Sequence, residues 1–229
     1  MRPAGFAGRA TGVLAFGVAF GYVEAAVVVY LRTALGLAPE PLFPLQQATG
    51  EAGWLVGIEA GRELATLVML GAVGWVAGTS RLERLAWSAV AFGAWDLTYY
   101  GWLWAFSGWP PALTTWDVLF LVPVPWVGPV WAPITVSLAL VGVGLLAARR
   151  LRRGDALPLE PWHIAGGVAG GVLVVSSFML DTGDILAGGT PHDFAWPVFL
   201  AGMLLAVAAS VGAIVRRPQS VTRSAPADT

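Results

Sequence analysis

Five ionisable residues stand inside otherwise apolar stretches of this chain: Glu24, Glu59, Arg62, Glu63 and Asp96. On insertion scales such a residue costs roughly 2.5–3.5 kcal/mol at the centre of a helix in lipid, so it turns toward a protein interior and marks a site. Their spacing is helical. Glu59, Arg62, Glu63 and Thr66 fall at i, i+3, i+4 and i+7, which places them on one stripe. Asp96, Tyr99 and Tyr100 repeat that pattern, and Gly17, Gly21 and Glu24 share a third face. Three helices are therefore expected to turn polar stripes to a common centre.

Glu59, Glu63 and Asp96 suit acid–base work or the binding of a divalent cation by oxygen ligands, which makes them both the catalytic and the metal candidates. Arg62 would orient a carboxylate or bind an anionic head group. Glu24, Tyr99 and Tyr100 would contact substrate, with Asp117 and His192 closing the site from outside. Four acids and one Arg give a net of −3 if all are ionised. A low-dielectric site holds that surplus only with a bound cation, with some carboxyls neutral, or with enough water to screen it.

Other chemistries find no footing. Cys and Lys are absent, which removes disulfides, thiolate catalysis, Schiff bases and a P-loop. The Glu-x-x-His motifs that a di-iron site wants on two helices are not both present, and there is no His-Glu-x-x-His and no Gly-x-Ser-x-Gly. The two His residues, His163 and His192, are expected on opposite membrane faces, too far apart to share a haem.

The elements that must carry these groups are membrane spans. The chain is 57% hydrophobic and 12% charged, against about 25% charged in soluble domains. Six stretches are long and apolar enough to cross: Thr11–Leu31, Gly53–Gly78, Leu85–Ser107, Gly128–Ala148, Trp162–Leu180 and Ala195–Val215. The first is too long for a signal-peptide core and holds Glu24, so it is expected to be an anchor. Eleven of the thirteen Arg residues would lie on one side, at 2, 9, 81, 84, 149, 150, 152, 153, 216, 217 and 223. Positive charge stays in the cytoplasm, which predicts a multi-pass protein of the cell inner membrane with both termini cytoplasmic. Most Trp residues would form interfacial belts.

The expected fold is thus all-α, a polytopic helical bundle of about six transmembrane helices. A short interfacial or re-entrant helix near 114–122 is expected from Thr114, which resembles a cap, and from Pro123 and Pro125, which would end it. Residues 1–217 form one transmembrane domain, and residues 218–229 a disordered cytoplasmic tail. Pro39, Pro41 and Pro44 would fix the outer connection Leu37–Gly50 in an extended path. Small-residue pairs at Gly17/Gly21, Gly166/Gly170, Gly167/Gly171 and Ala209/Ala213 would let helices approach within the bundle, or between copies in a homo-oligomer. With a net charge of −1 and no basic face, membrane lipids are the expected partners and nucleic acid is not.

The segments Trp95-Asp-Leu-Thr-Tyr-Tyr100, Trp116-Asp-Val-Leu-Phe-Leu-Val-Pro-Val-Pro-Trp126 and Arg62-Glu-Leu-Ala-Thr-Leu67 resemble a group of uncharacterised bacterial multi-pass membrane proteins. The resemblance covers the middle third of the chain and implies no activity. Three functions stay open on the sequence. They are a membrane-embedded enzyme acting on an apolar or lipid-like substrate, a proton- or cation-coupled transporter, and a structural subunit whose carboxyls and tyrosines cross-link helices.

Overall fold

The computed structural model of the chain describes residues 5–34, 53–191 and 193–216. His192, the connection Leu37–Gly50 and the 218–229 tail lie outside the described residues. Among them, six long helices and one short one surround a single two-stranded hairpin. In chain order these are α1 (Phe6–Ala34), α2 (Gly53–Ala77), α3 (Arg81–Ser107), β1 (Trp116–Phe120), β2 (Trp126–Pro129), α4 (Trp131–Arg152), α5 (Pro161–Met179), α6 (Thr182–Leu186) and α7 (Trp196–Val215). Four stretches are long and apolar enough to cross a membrane: α1, α4, α5 continued through α6, and α7. The other two long helices, α2 and α3, carry Glu59, Arg62, Glu63 and Asp96.

Local chemistry sets the helix ends. Ser80 caps α3 by accepting the Glu83 amide, and Gly108, at a φ of 69°, closes the other end by donating to the Trp104 carbonyl. Pro161 occupies the first turn of α5, where no amide is needed. The Nδ1 of His163 accepts the Glu160 amide at 3.0 Å, so this buried histidine caps its helix.

α3 is the hub, packed against α1, α2 and α4, while α5 and α7 form a second close pair. Lipid supplies no hydrophobic drive between helices, so close approach depends on small residues. A Cβ on Gly21 would lie 2.4 Å from the Thr98 hydroxyl, and one on Gly170 would lie 2.6 Å from the Ala206 amide nitrogen. These notches serve contacts within the chain, whereas Gly167 and Gly171 meet nothing within 4 Å. Nor are all the tryptophans belt residues. Trp87, Trp95 and Trp109 are buried in the core, and Trp54, Trp75 and Trp104 are exposed.

The segment expected as a short helix near 114–122 is instead an antiparallel hairpin. Asp117 pairs with Gly128, Val118 with Val127 and Phe120 with Trp126, and the register shifts between Val118 and Phe120. Trp116-Asp-Val-Leu-Phe is rich in aromatic and β-branched side chains, and Asp117 is its one fully buried residue. Thr114 caps nothing here, because the Asp117 carboxylate takes the Val118 amide of its own strand. Pro123 and Pro125 lie in the connection between the strands, where a missing amide breaks no ladder. Asp181-Thr-Gly-Asp184 opens the short helix α6.

Candidate functional site

The polar stripes of α1, α2 and α3 do meet, and β1 joins them. Together they wall one cavity of about 790 Å³. Glu24, Glu59, Arg62, Glu63, Asp96, Tyr99, Tyr100 and Asp117 all line it.

The first group is an ion cluster between α1 and α2. Arg62 pairs with Glu24, and it also grips Glu59 with two nitrogens, the Nε–Oε2 contact being 3.0 Å. The second oxygen of Glu24 accepts the Thr66 hydroxyl at 3.0 Å. Glu24 shares a face with Gly17 and Gly21, yet its partners come from a different helix. The glycines abut α3, and the carboxylate reaches α2. The guanidinium is thus spent on two carboxylates of its own chain and orients both. It is not available to an anionic head group.

The second group ties the hairpin down. Glu63 Oε2 accepts the Leu121 amide at 2.7 Å, just past the end of β1. Tyr100 donates its hydroxyl to Asp117 Oδ2 at 3.0 Å. Thr182 of α6 donates to the Pro125 carbonyl at 2.8 Å. Burial pushes the Asp117 carboxyl up to about 6, while Arg32 and the Tyr100 hydroxyl draw it back down.

The third group is the least committed. Asp96 is 8% exposed, and its Oδ2 accepts the Ser137 hydroxyl at 2.7 Å. Its Oδ1 has no hydrogen-bond partner among the described residues, and it is not one of the buried atoms sealed from contact. Asp96 therefore keeps an acceptor on the cavity. The Tyr99 hydroxyl is likewise without a hydrogen bond among the described residues.

Two further residues belong to the site and were not expected there. Arg32 lines the cavity, stacks over the Trp109 ring at 4.4 Å and acts electrostatically on Asp117. The spacing Glu24, Val28, Arg32 (i, i+4, i+8) carried this signal, and all three line the wall. Ser137 of α4 could be found only from the tertiary contact. The cavity then holds five carboxylates against two guanidiniums, still a net of −3 if all are ionised.

Among the described residues, no three His, Asp or Glu side chains are grouped to hold a metal ion. The candidate ligands Glu59, Glu63 and Asp96 go to Arg62, to the hairpin amide and to Ser137 respectively. The rest of the wall is apolar, including Val28, Leu55, Val136, Leu140, Val174 and Phe178. Comparison of the chain with protein-family models, with curated protein sequences and with solved structures finds no significant match.

Proposed function

We propose that this is a membrane-embedded enzyme whose cavity holds an apolar or lipid-like substrate. In this proposal all six long helices cross the cell inner membrane and both termini are cytoplasmic. The observation that carries it is a single cavity with one apolar wall and one wall of ionisable groups. Substrate pockets usually combine a mostly hydrophobic lining with a few placed polar groups, and this cavity is of that kind and size. The placement of Arg on one side of the spans, and the four helices long and apolar enough to cross, support the topology.

Roles divide among the acids by what each already binds. Glu24, Arg62 and Glu59 form a rigid ion cluster that fixes α1 against α2. Glu63 anchors the hairpin that covers the cavity. Asp96 is the acid–base group, with Oδ2 held by Ser137 and Oδ1 open to a substrate proton, and the Tyr99 hydroxyl is its partner. The lining favours an enzyme over a coupled transporter, because among the described residues Thr66 and Ser137 are its only hydroxyl side chains besides the two tyrosines. A translocation path would need polar groups continuing beyond them.

The test compares lipid extracts by mass spectrometry from cells with the wild-type gene, without it, and with Asp96→Asn. The variant should accumulate the same apolar species as the null cells while being made at normal levels. Identical lipid and pigment profiles in wild-type and null cells would refute the enzyme reading.

A further inference from the structure

Which head group the cavity accepts follows from what its polar atoms have left to offer, and this inference rests on the cavity being a substrate site. Arg62 is engaged by Glu24 and Glu59, and Arg32 stacks over the Trp109 ring. A phosphate or carboxylate head would meet surplus negative charge. Among the described residues Asp96, more than nine-tenths buried, keeps Oδ1 unpartnered on the cavity.

The wall beside Asp96 is a continuous run of rings. Trp126 lies 5.4 Å from Phe120, Phe120 6.4 Å from Phe92, Phe92 5.3 Å from Trp95, and Trp95 6.3 Å from Tyr99. Every one of these residues lines the cavity. Aromatic faces attract cations through their quadrupoles, and more strongly where water is excluded. A buried carboxylate next to aromatic faces is the combination that recognises an ammonium group.

We propose that the ligand of this cavity is a cationic amphiphile, with an amine or quaternary ammonium head at Asp96 and the Trp95–Tyr99 rings and an apolar tail along α4 and α5. The positive head offsets part of the −3 surplus, which the protein's own side chains leave uncompensated.

The experiment titrates purified protein in a maltoside detergent with three probes of one chain length: dodecyltrimethylammonium, dodecanol and dodecanoate. Binding is read from tryptophan fluorescence. The cation should bind about tenfold more tightly than dodecanol, and dodecanoate should bind weakest. Asp96→Asn should bring the cation-to-alcohol ratio close to one. If that variant does not fold, Tyr99→Leu, which removes a ring and no charge, should lower the ratio several-fold. Equal affinity for all three probes would overturn the cationic ligand but leave the substrate cavity standing. No binding of any probe would overturn both. Displacement of the bound cation by sphingosine, a membrane lipid with an amine head and no phosphate, would place the ligand among membrane lipids. Displacement by dodecylamine alone would place it among free amines, and displacement by neither would overturn the proposal.

Discussion

Several helix pairs in this bundle approach backbone to backbone; of two of them, α1 with α3 and α5 with α7, only the first borders the charged wall of the cavity. Both use the same device. Gly21 admits Thr98 and the Tyr99 amide, and Gly170 admits Ala206 and the Gly202 carbonyl. The α5–α7 contact is mostly apolar, with His163 packed on Gly212 and Ser177 returning its hydroxyl to the Val174 carbonyl of its own helix. Beside the α1–α3 contact stand Glu24, Asp96 and the α2 residues that pair with Glu24. Close packing is therefore general to the fold, whereas the carboxylates beside the α1–α3 contact line a cavity.

The largest effects should be shared by the two pairs. Gly21→Leu and Gly170→Leu each drive a side chain into backbone, an overpacking cost of about 3 kcal/mol or more. Neither should yield monodisperse protein by size exclusion, and a well-behaved variant at either position would break the parallel.

The next effect should separate the pairs. Arg62→Met strands Glu24 and Glu59, which should cost about 3 kcal/mol in denaturant unfolding. Adding Glu24→Gln and Glu59→Gln should recover most of that loss. Ser177→Ala, on the apolar side, should be nearly silent. Smaller still is Ser137→Ala, which removes one buried hydrogen bond to Asp96 and should cost about 1 kcal/mol.

A further effect concerns pH. Asp117 ionises near 3.8 when exposed and near 6 in the fold, so the folded state holds the proton more tightly. Between those values the native chain binds more protons than the unfolded one, and stability from this group falls as pH rises. Melting temperatures should decline from pH 4 to 6 in the wild type. Asp117→Asn should make that decline shallower.

The sequence told much about the site and less about its cover. Helical spacing sufficed for Glu59, Arg62, Glu63, Asp96 and Tyr99, because an ionisable side chain in an apolar helix turns toward the protein interior and the helix period fixes which face that is. Partners across helices were not legible. Glu24 was placed on the glycine face, yet its long side chain reaches α2 while the glycines meet α3. The hairpin was missed because the length of an apolar run does not separate a helix from a strand. The aromatic and β-branched content of Trp116–Phe120, and the prolines between two short apolar runs, were the signs of it. Ser137 lies 41 residues from Asp96, and no spacing rule connects them.

The lack of native Cys allows a direct test that Glu24, Glu63 and Asp96 share one chamber. Each is replaced by Cys, singly and in pairs, and treated with a maleimide of fluorescein size before intact-protein mass spectrometry. One chamber of about 790 Å³ should take a single label in every pair variant, although each single variant labels fully. Two labels on Glu63→Cys/Asp96→Cys would mean that these positions open onto separate spaces, which would contradict a common site.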